Sequence, residues 1–183
     1  MTYGVISDIH SNLPALRVVL ERLSGVDGFL CLGDIVGYGA EPNECCATVR
    51  ALHCPTLMGN HDAGAVGKLG LEWFNRTAAE ALSWTARALT AENLAFLEAL
   101  PECAAQNGIL LAHGSPLDPW DYIYEPYGAA AALAALEEPL CLFGHTHLAM
   151  AFIKGEESGR LEQILLPEGG RLKLEADHRY LIN

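Results

Sequence analysis

The sequence is short of positive charge. Its 183 residues hold 11 lysines and arginines against 23 aspartates and glutamates, a formal net charge of −12. Sequence-independent nucleic-acid binding needs a positive footprint, and no basic cluster offers one, so no nucleic-acid partner is expected. The acidic excess points mainly to solubility. The six cysteines, Cys31, Cys45, Cys46, Cys54, Cys103 and Cys141, include no Cys-x-x-Cys pair. That excludes the usual zinc-ribbon spacing and leaves no demand for a disulfide framework. Cys31 and Cys141 lie in apolar runs and read as small core residues. No apolar run is long enough for a bilayer; the longest candidate, Gly128 to Leu136, is mostly alanine. The N-terminus lacks a basic segment followed by an apolar stretch, so no secretory signal is visible. A cytoplasmic protein without a membrane partner is expected. Repeats, low-complexity tracts and a linker are also missing, so one domain over residues 1–183 is the expectation.

What is present is alternation. Half the residues are hydrophobic, 51%, and short apolar runs alternate with helical stretches. Strands are expected over Tyr3–Ser7, Phe29–Leu32 and Thr56–Met58. Helices are expected near Leu13–Leu23, with Asn12 as cap and Pro14 in the first turn, and from Pro42 to before Pro55. Such βα units imply a parallel sheet with right-handed crossovers. A helical region follows from about Leu71 to Leu100, whose Trp73, Phe74, Leu82, Trp84 and Leu97 read as core. Asn107-Gly108 between Glu102–Gln106 and Ile109–Ala112 reads as a hairpin turn, because both positions accept positive φ. After a loop with Trp120, Tyr122 and Tyr124 comes an alanine-rich helix, Tyr127–Glu137, and a strand, Leu140–Phe143. The remainder, Ala149–Ile153, Leu161–Leu165, Leu172–Leu174 and Tyr180–Ile182, reads as an antiparallel meander.

The expected strand ends carry a recurring chemistry. Asp8 and His10 follow the first, Asp34 the second, Asn60 and His61 the third, His113 the second hairpin strand, and His145 and His147 the last strand before the meander. Open α/β sheets place ligands at the carboxyl ends of their strands. Oxygen and imidazole donors without thiolate suit manganese, iron, zinc, nickel or cobalt. Glycines at 33, 59, 114 and 144 let the backbone turn sharply beside a ligand.

With Asp8-Ile9-His10, Gly33-Asp34-Ile35-Val36-Gly37, Gly59-Asn60-His61-Asp62, His113-Gly114 and Gly144-His145-Thr146-His147 in order, the chain resembles the calcineurin-like metallophosphoesterase family. Ser11-Asn12-Leu13-Pro14-Ala15-Leu16 and Gly37-Tyr38-Gly39 place it nearest the small bacterial and archaeal phosphodiesterases of that family. The resemblance implies an α/β fold, a four-layer α/β/β/α sandwich with a dinuclear metal site at the strand C-terminal ends. It implies two divalent metal ions, manganese first among them. One would be held by Asp8, His10, Asp34 and His147, the other by Asp34, Asn60, His113 and His145, with Asp34 bridging.

Two dications about 4 Å apart repel by roughly 17 kcal/mol at an effective dielectric of about 20, which is why a bridging carboxylate is needed. Neutral Asn60 should make the second ion the weaker one. The implied activity is hydrolysis of a small phosphodiester or phosphomonoester by a metal-bridging hydroxide. His61 would protonate the leaving oxygen or stabilise the transition state, and Asp62 would either orient that imidazole or cap the loop. His53 and His178 lie outside every motif. The alternative is a non-catalytic, metal-binding interaction scaffold of the same fold, which would be expected to have lost His61 or some ligands. Finally, Tyr180–Asn183 is expected to leave an open apolar edge. Longer members continue beyond this point, so either a longer chain or a second subunit of a homo-oligomer would cover it.

Overall fold

The computed structural model describes residues 1–166 and 169–183, and its chain divides into two compact units, Met1–Glu102 and Cys103–Asn183. In the first unit, β1 (Tyr3–Ile6) and β2 (Gly28–Cys31) pair in parallel, with Tyr3 opposite Gly28 and Ile6 opposite Cys31. The third expected strand, over Thr56–Met58, is reduced to one parallel bridge between Thr56 and Cys31. Pro55 precedes it and helix α3 (Asn60–Ala65) follows at once, so too few residues remain for a ladder. Helix α1 (Leu13–Arg22) starts where Asn12 accepts from the Ala15 N–H at 3.1 Å, and buries Leu13 and Leu16. Helix α2 (Pro42–Ala51) opens on proline and buries Cys45, Cys46 and Val49.

The expected helical region contains a single 3₁₀ turn at Leu71–Trp73, then α4 (Arg76–Ala88) and α5 (Ala91–Glu98). The helices are capped by Asn75, accepting from Ala78 N–H at 3.0 Å, and by Thr90, accepting from Asn93 N–H at 3.3 Å. Asn43 ties α2 to the link between them: it donates to Ala88 O at 2.8 Å and accepts from Thr90 N–H at 2.9 Å. The unit's core gathers Ile6, Leu16, Cys31, Ile35, Val36, Cys46, Leu82 and Leu97. Two aromatics expected in it lie outside. Trp73 is 76% exposed because its 3₁₀ turn runs along the surface; Trp84 is 43% exposed because it faces away from the buried stripe Ala78, Leu82 and Thr85. All six cysteines are free. Burial pushes the Cys45 thiol up to about 12.

The second unit is a six-stranded sheet, ordered β3-β4-β5-β8-β6-β7. Strands β3 (Cys103–Gln106) and β4 (Ile109–Ala112) form the expected hairpin, with Asn107 and Gly108 at φ 53° and 76°. Strand β4 pairs in parallel with β5 (Leu140–Leu142). Strands β6 (Met150–Gly155) and β7 (Leu161–Leu165) are antiparallel. Helix α6 (Pro126–Ala135) turns Ala129, Ala132 and Leu133 into a core with Ile123, Cys141, Phe143, Phe152 and Leu181.

The last strand overturns an expectation. Strand β8 (His178–Ile182) lies inside the sheet, parallel to β5 and antiparallel to β6, with Leu181 fully buried. The open apolar edge expected at Tyr180–Asn183 is therefore absent. The meander is not sequential either: β6 and β8 pair directly, and Leu172–Leu174, expected as a strand, is irregular. Among the described residues no helix is long and apolar enough to cross a membrane.

Candidate metal centre

In the first unit the loops leaving β1 and β2 run side by side, joined backbone to backbone. Asp8 N–H donates to Gly33 O at 3.1 Å, His10 N–H to Asp34 O at 2.9 Å and Ser11 N–H to Ile35 O at 2.9 Å. This registers His10 against Asp34. His10 Nδ1 lies 3.2 Å from the carbonyl oxygen of Val36. A carbonyl can only accept, so Nδ1 carries the proton and Nε2 keeps its lone pair. That Nε2 faces Asp34 Oδ2 at 3.7 Å. The other oxygen, Oδ1, accepts from the backbone N–H of His61 at 2.8 Å. His10, Asp34 and His61 each bring one donor atom within 4.8 Å of the others.

Asn60 and His61 are the first residues of α3 (Asn60–Ala65), a short and wholly buried helix. Asp62 caps it: Oδ2 accepts from Gly59 N–H and Oδ1 from Val36 N–H, each at 3.0 Å. These are the bonds of a cap. Burial, and then the neighbouring Asp34 carboxylate, raise its pKa to about 7. Two buried carboxylates so close together are the setting a cation relieves. The His61 ring is enclosed by Tyr38, His10 and Phe74, with centroids 4.6, 4.7 and 5.2 Å away.

In the second unit the ends of β4 and β5 are linked by Gly144 N–H donating to His113 O at 2.8 Å. His113 and His145 stand with ring centroids 4.9 Å apart, both buried. His145 Nε2 meets the Trp120 carbonyl oxygen at 3.1 Å, which fixes the proton there and leaves Nδ1 as the donor. His147 lies two residues on and is exposed.

The backbone marks the same residues. Nine non-glycine residues among those described have positive φ; five of them are Asp8, His10, Asp34, His145 and His147. Such conformations cost on the order of 1–3 kcal/mol each and collect at functional sites. The donors are carboxylate and imidazole without thiolate, and two imidazoles have their tautomer set by a carbonyl. Both features suit a first-row divalent cation.

Comparison with known proteins agrees with this chemistry. The profile of the calcineurin-like phosphoesterases matches residues 1–149. The chain belongs to the calcineurin-like phosphoesterase family. It is 40% identical over 188 positions to an uncharacterised protein of Methanocaldococcus jannaschii, covering 98% of this chain and 73% of that one. A metallophosphoesterase from Sphaerobacter thermophilus superposes with a TM-score of 0.85 at 40% identity, covering all of this chain and 75% of that one. A hypothetical protein from Pyrococcus horikoshii shares the fold alone, with a TM-score of 0.72 at 18% identity over 90% of this chain and 87% of that one.

As a calcineurin-like phosphoesterase, the chain holds features that its motifs did not reveal. Tyr38 packs on both His10 and His61; the Gly37-Tyr38-Gly39 text marked the turn but not the ring contact. Trp120 acts through its carbonyl, for which no side-chain signal exists. Asn183 donates from its side-chain amide to Gly144 O, and its backbone N–H donates to Met150 O at 2.9 Å, bracing the turn that carries His145. Asn12 is a helix cap, as expected. His178, the first residue of β8, pairs with Asp177 just before it at 2.8 Å, and His53 follows α2; neither joins the donor groups described above.

Proposed function

We propose that this member of a hydrolase family is a metal-dependent phosphoesterase acting on small phosphodiesters or phosphomonoesters. Asp8, His10, Asp34 and His147 would hold one divalent cation, and Asp34, Asn60, His113 and His145 a second, with manganese the first choice. Such cations supply Lewis acidity to phosphoryl oxygens and acidify the water they hold. The chain's own residues do the rest. Asp34 has one oxygen tied to the His61 backbone and the other directed at His10. His61, held between three rings, donates the proton that the leaving oxygen needs. Asp62 acts as a positioning residue, by fixing the Gly59–Asn60 turn.

The observation that carries this reading is the His10–Asp34–His61 group, in which His10 and Asp34 hold left-handed backbone conformations and His61 stands in the first turn of α3. The test is metal content by elemental analysis, together with turnover of a panel of phosphate esters in manganese, nickel and magnesium. Bound metal and turnover of at least one ester are expected. Bound metal without turnover of any ester would favour the interaction-scaffold alternative, and absence of both would overturn the proposal.

A further inference from the structure

The loop between β4 and α6 ends in an arrangement that the hydrolytic chemistry does not require. Residues Asp121–Glu125 belong to no helix or strand, and only Ile123 of the five is buried. Tyr122 and Tyr124, on either side of buried Ile123, are exposed. Their rings stack nearly parallel, 5.1 Å apart at 11°. The stack continues onto His145, whose ring lies 3.7 Å from Tyr122 at 15°. Three planar rings thus run in series from a candidate ligand into solvent, and the tyrosines remain 53% and 45% exposed.

The segment is held before any ligand arrives. Gly114 N–H donates to Pro119 O at 3.1 Å and Ser115 N–H to Asp121 O at 3.0 Å. Trp120 N–H donates to the Asp118 carboxylate at 3.0 Å, and Gln163 donates to Tyr124 O at 3.0 Å. Ile123 anchors the strip in the core. Parallel aromatic faces, preorganised and half open to water, favour a flat ring over an aliphatic chain.

We propose that Tyr122 and Tyr124 form a stacking platform for a planar aromatic group, such as a nucleobase, carried by the phosphate ester that the site takes. The proposal rests on the phosphoesterase reading and names the class of substrate. The phosphate lies toward His113 and His145, and the aromatic group lies along the tyrosines. These are specificity residues: they touch the part of the substrate that does not react.

Adenosine 5′-monophosphate and ribose 5-phosphate test it, since they differ only in the base. Their affinities for the manganese-loaded chain are measured by calorimetry, and the adenine proton shifts by NMR on the chain loaded with diamagnetic magnesium, because paramagnetic manganese would broaden those signals away. Stacking on aromatic side chains is worth about 5- to 150-fold per base, so the nucleotide should bind at least about 5-fold tighter and show upfield ring-current shifts. Tyr124→Ala should bring the ratio close to one while ribose 5-phosphate binds as before. Tyr124→Phe, which keeps the ring, should preserve the ratio. Equal affinities on the wild-type chain, or a ratio that survives Tyr124→Ala, overturn the platform. If the same preparation hydrolyses other esters, the phosphoesterase reading stands without it. If neither compound binds and no ester is hydrolysed, that reading fails and the platform falls with it.

Discussion

Gly37 and His61 are in backbone-to-ring contact: a β-carbon on Gly37 would lie 2.3 Å from Nδ1 of His61. Gly37 also sits at φ +94°, where side chains are strained. Absence of a side chain at 37 is therefore what lets the His61 imidazole occupy its place between Tyr38, His10 and Phe74. Gly37→Ala should destabilise the fold by about 1–3 kcal/mol and lower kcat as the ring is displaced. Denaturant unfolding and steady-state kinetics on the variant check both. Wild-type kinetics would show that the ring can shift at no cost to turnover.

His61→Ala should lower kcat by about 10²–10⁴-fold, the usual contribution of a proton-transfer group, with metal content maintained. Elemental analysis beside kinetics separates the two quantities. Turnover near that of the wild type would remove His61 from the reaction.

Asp34→Asn and Asn60→Ala should differ in metal stoichiometry. A bridging carboxylate serves both ions and a terminal amide only one, so the first change should deplete both and the second mainly one. Two tightly held ions in Asp34→Asn would rule out the bridge.

Asp62→Ala strips the acceptor from two backbone N–H groups, those of Gly59 and Val36. Loss of a buried acceptor that leaves two N–H groups unpaired should lower stability on the order of 3 kcal/mol. Urea unfolding measures this directly. An unchanged midpoint would mean that the two N–H groups find other acceptors.

Added inert salt should leave the kcat/KM of a small anionic ester unchanged or raise it. The chain is strongly acidic, and salt screens its long-range repulsion more than short-range attraction. A steep fall with salt would point to a positive steering surface.

Features set by local chemistry were readable in the sequence. Asn107-Gly108 selects the hairpin turn, Asn12 and Pro14 mark the start of α1, and the motif residues stand out as short polar strings after apolar runs. Features set by distant contacts were not. Helix α3 begins at Asn60 because Asp62 folds back onto Gly59; a capping role is one the string Gly-Asn-His-Asp offers, but the second partner, Val36 from a distant loop, is not. Strand β8 reads as one more piece of a meander, since its apolar pattern fits an edge or an interior equally well; only its partners β5 and β6 decide. Trp73 looked like core because large aromatics usually are, while its exposure follows from where the preceding 3₁₀ turn runs. The contacts of the Tyr38 ring and the bond to the Trp120 carbonyl are illegible for a related reason: ring packing and main-chain acceptors leave no periodic trace.

The interior position of β8 has a consequence for synthesis. A nascent chain halted before residue 178 would leave β5 and β6 with bare edges facing one another, an association hazard for as long as the pause lasts. The hairpin β3–β4 can form from near neighbours, but joining the halves of this sheet must wait for a strand made much later. Asn183, which braces the Gly144 turn, arrives with that same strand. The turn bearing His145 is therefore among the last parts of the unit to be secured.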